Sequence, residues 1–356
     1  MNEERIISGQ ALSCFDNLPV EEERGEMSEA GELRPGQVFD GRFAIVGVVS
    51  RGGMAVVYQA RDTHDHDCLV ALKMPHVRFE SDPVFFRRFE REEEIGRKLN
   101  HPYVLKFKPV EKKSRPYIVT EFLRGCTLSH LIYQKRVLPE IDALKIASLV
   151  CEALQHMHWR GVLHRDLKPG NIMVCADRTI RIMDFGIATA AAVRRLTIAG
   201  SAPLGTPEYM APEQVRNKRT DERTDVYSLG AILYEMLTGV VPFENENPWI
   251  SMNNRVTADP IAPRKLNPDL SPQAEEIVLH AMQRDPAGRF QSAAAFKVAL
   301  DAPDQVTVTG LRDRLEEPHW RIGLRETPFI AGTLISIGFV LSLVALFFVL
   351  RHFFTH

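Results

Sequence analysis

The chain has 356 residues, with 44 lysines and arginines against 46 aspartates and glutamates, so its formal net charge is −2. An apolar fraction of 45% with 25% charged residues is typical of a globular protein and excludes a fibrous or wholly disordered chain. The near-neutral balance argues against a nucleic-acid-binding protein, so we expect no nucleic acid among its partners. The five cysteines are scattered without a C-x-x-C pair, which excludes a disulfide framework and a zinc site and fits a reducing compartment.

Residues 1–36 are predicted to form a disordered acidic arm. Residues 1–34 contain nine acidic residues and three arginines, which gives a local net charge of −6, and they contain few aromatics. A signal peptide is excluded because no basic start precedes an apolar run.

Residues 37–302 have a globular composition and are expected to form one domain. Turn signals and β-branched residues predict strands at 43–49, 55–61, 69–74 and 117–120. Apolar residues at helical spacing predict helices at 83–99, 141–159, 226–237, 272–282 and 290–300. Strands first and helices later indicate an α+β protein with a β-rich small lobe and a helical large lobe.

A Gly52–Gly53 pair lies between the first two predicted strands. Such a turn exposes backbone N–H groups to phosphate oxygens, although a glycine pair between strands is more often a simple hairpin. Lys73 ends the third strand and precedes the helix that contains Glu92. A strand-end lysine is usually only solvated, but paired with that glutamate it would hold an amine against the phosphates of a nucleotide.

The strongest signal is the segment HRDLKPGN at residues 164–171, followed by Asp-Phe-Gly at 184–186. Two short strands are predicted between these motifs, on either side of a turn at 176–178. The resulting hairpin would bring Asn171 and Asp184 to one site.

These residue types match the needs of phosphoryl transfer. The reaction requires a carboxylate that orients the attacking hydroxyl, a cation near the moving phosphate, and oxygen ligands for Mg²⁺. Asp166 would supply the carboxylate, Lys168 the cation, and Asn171 and Asp184 the metal ligands.

The chain resembles the eukaryotic-like Ser/Thr protein kinases over about residues 43–300. The shared motifs occur in the family's order: a glycine loop, V-A-L-K, H-R-D-L-K-P-x-N, D-F-G, G-T-P-E-Y-M-A-P-E and R-D-P-x-x-R-F. The resemblance implies a bilobal kinase fold and transfer of the ATP γ-phosphoryl group to serine and threonine hydroxyls of proteins, with ATP and Mg²⁺ as cofactors. Lys168 and Thr206 resemble the Ser/Thr branch rather than the tyrosine kinases.

The resemblance also implies individual roles. Lys73 becomes the ATP-positioning lysine, Glu92 its partner on helix αC, and Asp166 the catalytic base. Glu213 and Arg289 would form an ion pair in the large lobe. The ATP contacts implied by the resemblance are Ser50, Gly52, Gly53, Val57, Ala71, Lys73, Thr120 as gatekeeper, Glu121 and Leu123 in the hinge, and Met173.

Two further assignments concern the loops of the large lobe. Asp225 would tie down the catalytic loop. Arg165, just before the catalytic aspartate, suggests control by a phosphate in the activation segment, residues 184–213. The candidate residues there are Thr197, which is favoured as the phosphorylation site, Ser201, and Thr206, which fits a substrate pocket better.

The sequence departs from the family at two places. Ser50 and Ala55 replace the outer glycines of the glycine loop, and serine is expected to stiffen that loop. Gly96 stands where the family places an apolar residue, which is expected to loosen helix αC. A pseudokinase that only binds nucleotide or partners is therefore the alternative, but none of the groups that the chemistry requires is missing.

Residues 327–350 form a run of 24 residues without a charge. A helix of that length would be about 36 Å long, enough to cross a hydrocarbon core of about 30 Å, so a transmembrane helix is predicted rather than a buried soluble one. Four arginines precede the run and one follows it, which places the kinase domain on the cytoplasmic side of a single-pass protein. With a short tail at 351–356, we expect no sensor domain beyond the span.

The linker 303–326 would be juxtamembrane. Thr307 and Thr309 make it either an autophosphorylation target or a passive tether. Anchoring in a lipid bilayer favours phosphorylation between neighbouring copies, and a homodimer is possible.

Overall fold

The computed structural model describes residues 32–80, 82–185, 207–245 and 247–316, which form two lobes. The small lobe is built on an antiparallel sheet with the strand order β1-β2-β3-β4-β6-β5. Its strands are β1 (Val38–Phe39), β2 (Phe43–Arg51), β3 (Ala55–Asp62), β4 (Cys68–Pro75), β5 (Phe107–Lys108) and β6 (Ile118–Glu121).

The two faces of this sheet differ because successive side chains of a strand point to opposite sides. On β3, Val56, Tyr58 and Ala60 are buried in the small-lobe core. Val57 lies between them and pairs with Lys73 on β4, so these two residues share the opposite face. The sheet therefore uses one face for its core and leaves the other to the cleft side of the lobe.

Two helices follow β4, namely α1 (Val77–Glu80) and α2 (Pro83–Lys98). Asp82 caps α2, since its carboxylate accepts the amides of Val84 at 2.8 Å and Phe85 at 3.2 Å, and proline at the first helical position suits this geometry. Phe89 is buried and belongs to the core of the large lobe. Helix α2 is thus held between the lobes.

The large lobe contains a small sheet and most of the helices. The strands β7 (Gly125–Thr127), β8 (Ile172–Cys175) and β9 (Ile180–Ile182) pair in that order. The helices are α3 (Leu128–Lys135), α4 (Glu140–Trp159), α5 (Pro212–Val215), α6 (Glu222–Thr238), α7 (Pro248–Thr257), α8 (Pro263–Leu266), α9 (Pro272–Ala281) and α10 (Ala293–Asp301). Helix α4 is largely buried and packs against α6 and α10.

The predicted bilobal arrangement is confirmed, and the helix ends differ for local reasons. The helix predicted at 226–237 starts earlier, at Glu222, because the Asp221 side chain caps it. The helix predicted at 290–300 starts later, at Ala293, because the Ser292 hydroxyl accepts the Ala295 amide at 3.1 Å. Capping residues, rather than the apolar pattern, determine where these helices begin.

Residues 303–316, here called the C-terminal extension, continue across the surface of the large lobe after α10. They include two short 3₁₀ turns, Pro303–Gln305 and Leu311–Arg314, both in contact with α9. The predicted domain boundary at 302 is followed by chain that still packs on the lobe.

Among the described residues, no helix combines the length and apolarity needed to cross a membrane. The predicted span at 327–350 and the tail at 351–356 lie outside the described residues, as does most of the predicted acidic arm.

Candidate active site

The cleft face of the small-lobe sheet brings together residues from three strands. Val57 on β3 is opposite Lys73 on β4, and Ala71 on β4 is opposite Thr120 on β6. Paired residues in adjacent strands share a face, so the four side chains lie on the same side of the sheet. Thr120 is buried, whereas Val57 and Ala71 are partly exposed.

Lys73 is the centre of a charged cluster. Its Nζ atom lies 2.7 Å from Glu92 Oε1 on α2 and 2.7 Å from Asp184 Oδ1. Burial disfavours the ammonium charge, but the two carboxylates outweigh it and raise the pKa of Lys73 above its usual range. The lysine charge lowers the pKa of Asp184, while burial raises the pKa of Glu92. The cluster therefore keeps an ammonium group fixed in the cleft.

The gap left by Gly96 on α2 is filled by an aromatic ring. A Cβ atom at Gly96 would lie 2.4 Å from ring atoms of Phe107. That ring stacks on Phe185 with centroids 5.9 Å apart, and Phe185 in turn meets the His164 ring at 6.3 Å. The Phe107 ring thus replaces the apolar side chain that Gly96 lacks, and the expected loosening of α2 is compensated by this contact. The Lys73–Glu92 ion pair is formed.

The catalytic loop gathers three polar groups. Lys168 Nζ donates to Asp166 Oδ2 at 3.0 Å, and Asn171 Nδ2 donates to the Asp166 carbonyl oxygen at 2.9 Å and lies 3.3 Å from its Oδ2. Because its amide nitrogen is used in this way, the amide oxygen of Asn171 is the atom left for another ligand.

A hairpin joins this loop to the charged cluster, as predicted. Ile172 pairs with Ile182 across β8 and β9, and the Met183 amide donates to the Asn171 carbonyl at 2.9 Å. Asp184, the next residue, is thus placed beside the catalytic loop. Lys73, Asp166, Asn171 and Asp184 are not on separate surfaces.

Asp225 on α6 holds the backbone of the catalytic loop. Its carboxylate accepts the amides of His164 at 2.9 Å and Arg165 at 2.8 Å, and the ring of His158 at 2.8 Å. Burial raises the pKa of Asp225, but these donors outweigh it and leave the pKa below its ordinary value. Arg165 has a positive φ of 61°, so its backbone is strained, and the hydrogen bond from its amide to Asp225 holds it in that conformation.

A buried ion pair stabilises the large lobe below the loop. Arg289 donates to both carboxylate oxygens of Glu213, at 2.9 and 2.8 Å, and its guanidinium lies 4.8 Å from the centre of the Tyr227 ring. The adjacent Gln214 donates its side-chain amide to the Arg165 carbonyl at 2.8 Å. The predicted ion pair is present and is connected to the catalytic loop.

The glycine turn is closed by its own backbone. The Gly52 amide donates to the Ala55 carbonyl at 2.9 Å, and a Cβ atom at Gly52 would lie 3.2 Å from that oxygen. The Gly52 carbonyl accepts from His76 at 2.8 Å and the Gly53 carbonyl from Arg78 at 3.1 Å. Ser50 pairs with Val57 in extended β2, so serine meets no conformational conflict at that position.

The remaining predicted ATP contacts line the connection between the lobes. Glu121 ends β6, and its carboxylate accepts the Lys106 amide at 3.0 Å. Leu123 follows in the connecting segment and is partly exposed. Met173 on β8 pairs with Thr127 on β7 and is also partly exposed. Their contacts with adenine stay predictions.

The activation-segment candidates Thr197, Ser201 and Thr206 lie outside the described residues. Three other residues of the site were missed by sequence reasoning: His158, Gln214 and Phe107. None of them belongs to the quoted motifs, and each matters through a tertiary contact. Gln214 offered one signal, since it directly follows the G-T-P-E-Y-M-A-P-E segment.

Comparisons with known proteins agree with this geometry. Residues 43–299 match the family model of the protein kinase domain. The chain is 36% identical over 264 residues to the serine/threonine-protein kinase PknB of Mycobacterium leprae, covering 73% of this chain and 42% of that protein. It is 35% identical over 313 residues to the probable PknB of Corynebacterium glutamicum, covering 83% of this chain and 48% of that protein.

A crystal structure of Rad53 in complex with AMP-PNP is also similar. It superimposes with a TM-score of 0.60 and 27% identity, covering 72% of this chain and 64% of that chain. The chain spans less than half the length of the two curated relatives. It belongs to the protein kinase domain family, in the bacterial branch of eukaryotic-like serine/threonine kinases.

Proposed function

We propose that the chain is an active serine/threonine protein kinase that transfers the γ-phosphoryl group of ATP to protein hydroxyls. The observation that carries this proposal is that two polar clusters, one around Lys73 and one in the catalytic loop, lie next to each other and are joined by a backbone hydrogen bond. Lys73, Glu92 and Asp184 form one cluster, and Met183 hydrogen-bonds to Asn171 of the other. Phosphoryl transfer depends on such positioning more than on covalent chemistry.

Each group has a chemical task in this reaction. Asp166 orients the substrate hydroxyl and accepts its proton, and Lys168, 3.0 Å away, stabilises the charge on the transferred phosphoryl group. Lys73, held by Glu92, positions the phosphates of ATP. Asn171 and Asp184 would hold Mg²⁺, which neutralises phosphate charge when bound, and their oxygen atoms are the ligands that this ion prefers.

The experiment is phosphate incorporation from ATP by the full chain into itself and into a generic basic protein. Asp166→Asn should lower the rate by about 10²–10⁴-fold, because general-base catalysis contributes on that order. Asp177→Asn, an exposed carboxylate on the β8–β9 turn, is the matched control and should leave the rate unchanged. Incorporation no faster than that of Asp166→Asn, with several substrates tried, would exclude the enzyme.

A pseudokinase is the second candidate because two glycines of the glycine loop are replaced. It predicts a thermal shift on adding ATP without turnover. The full set of Lys73, Asp166, Asn171 and Asp184 favours the active enzyme, since each of the groups that the chemistry needs is present.

Regulation and location are part of the same proposal. A phosphate on Thr197 would pair with the exposed Arg165, and mass spectrometry after incubation with MgATP, alongside Lys73→Met, would identify it.

The charge-free run at 327–350 supports attachment to a bilayer with the kinase domain in the cytoplasm. Protease added to intact cells should leave that domain uncut, and cleavage from outside would reverse the orientation.

A further inference from the structure

The C-terminal extension is attached to α9 of the large lobe by hydrogen bonds to the buried carboxylate of Glu276 and by an ion pair between Arg312 and Glu275, 3.7 Å apart. Glu276 on α9 is 4% exposed and accepts the Thr309 amide at 3.0 Å, the Thr309 hydroxyl at 2.5 Å and the Leu311 amide at 3.3 Å. Further along, the Glu316 amide donates to Asp259 at 3.0 Å. Three of these four hydrogen bonds end on the two oxygens of Glu276, so the hydrogen bonding of the extension depends mainly on that group.

Thr309 is the residue through which the attachment can be controlled. It donates both its amide and its hydroxyl to the same carboxylate, yet the residue is exposed. Thr307 is also exposed and lies two residues earlier. The two threonines share the sequence context V-T but differ in contact, since the Thr309 hydroxyl is bound to the lobe by Glu276.

We propose that Thr309 is a phosphorylation site and that its modification releases the C-terminal extension from the large lobe. The phosphoryl donor is ATP, so the source of the modification rests on the function proposed above. The bond between the γ-phosphorus and its bridging oxygen breaks, ADP leaves, and a bond forms from that phosphorus to Thr309 Oγ1. The hydroxyl proton passes to the catalytic base and then to water.

The release follows from charge and hydrogen bonding. A phosphothreonine has no hydroxyl proton to donate, and it carries a charge of about −1.5 to −2 at neutral pH. That charge would lie beside the carboxylate of Glu276, with Glu275 as its neighbour in sequence. Two cations lie nearby: Arg314 donates to the Thr309 carbonyl at 3.2 Å, and Arg312 lies 3.7 Å from the Glu275 carboxylate. Both belong to the extension and follow it when it leaves. Repulsion from buried Glu276 therefore outweighs the contact with Arg314.

Hydrogen exchange of the full chain tests the release in the inactive Asp166→Asn background. In Thr309→Asp, the amides of Thr309 and Leu311 should exchange at least about 10-fold faster than in the parent, because local opening sets exchange. Thr309→Ser keeps the hydroxyl and should keep the protection, and Thr307→Asp is the matched control for added charge. Unchanged protection in Thr309→Asp, or equal loss in Thr307→Asp, would overturn the release.

A second measurement separates this inference from the proposed function. The active chain is incubated with MgATP and a generic basic protein, and phosphate is mapped by mass spectrometry in both. Phosphate on Thr309, absent in the Asp166→Asn chain, supports the site. Phosphate on the basic protein or elsewhere on the chain without any on Thr309 refutes this site but leaves the kinase proposal intact. No phosphate anywhere on the chain or on the basic protein refutes the kinase proposal.

Discussion

The contact between Gly96 and Phe107 allows a quantitative test of how helix α2 is held. Phe107 is 7% exposed, and removing its ring as Phe107→Ala should cost about 3–5 kcal/mol of unfolding free energy. In the reverse direction, Gly96→Leu places a side chain where ring atoms lie within 2.5 Å, and overpacking of this kind costs about 1–3 kcal/mol.

The double variant distinguishes a shared space from two independent effects. A leucine at 96 can occupy the volume that the Phe107 ring leaves, so the two costs should not add. We expect a coupling of about 2 kcal/mol in favour of the double variant, measured by urea unfolding. The rate of phosphate incorporation should fall in Phe107→Ala and recover in part in the double variant, because the same contact supports Glu92.

The control combines Phe107→Ala with Arg87→Leu, a substitution at an exposed position of α2, the helix that contains Gly96. These two changes should be additive within about 0.5 kcal/mol, as expected for sites without shared contacts. If Gly96→Leu and Phe107→Ala are additive to the same degree, the ring does not fill the space of the missing side chain.

Three further measurements test other parts of the structure. Arg289→Met leaves Glu213 buried without its arginine partner and should lower the free energy of unfolding, measured in urea, by about 3–5 kcal/mol. Arg284→Met breaks the more exposed pair with Asp259 and should cost less than about 1 kcal/mol. Equal costs would contradict the assignment of Arg289–Glu213 as a buried ion pair. Hydrogen bonds from Arg42 lower the pKa of Asp62 from 3.8, so the stabilisation of the folded state by this pair is present above pH 3.8 and is lost as the pH falls below it. Asp62→Asn should therefore flatten the decline of Tm with falling pH in that acidic range, and an unchanged slope would refute this assignment. Burial raises the pKa of the Cys175 thiol to about 11, so iodoacetamide at about pH 8 should modify the half-buried Cys68 before Cys175. Modification of Cys175 before Cys68 would contradict the burial of Cys175.

The parts of the site that could be predicted from sequence are those with a fixed local spacing. The hairpin between Asn171 and Asp184 follows from two short strands and a turn, so residues close in sequence are enough to determine it. The Lys73–Glu92 ion pair was predicted because the resemblance assigns Glu92 as the partner of the ATP-positioning lysine. In both cases the two residues lie fewer than 20 positions apart in the sequence.

Other features depend on contacts between distant segments. His158 and Asp225 are 67 residues apart in sequence, and nothing local to either indicates that one binds the other. The effect of Gly96 could not be judged without knowing that the Phe107 ring lies against it. The packing of residues 303–316 was missed because its hydrogen bonds go to a glutamate on a separate helix.

Under the proposed membrane attachment, the C-terminal extension would also set how far the kinase domain can move from the bilayer. For the membrane attachment proposed above, residues 317–326 are the chain left between the lobe and the 327–350 run, with a maximum reach of about 33 Å. Detaching the extension raises that length to residues 303–326, about 80 Å, and enlarges the sampled volume roughly 14-fold. With the extension bound to the large lobe, the kinase would reach only targets near the lipid surface, at a high local concentration. With the extension released, it would reach more distant targets at a lower local concentration.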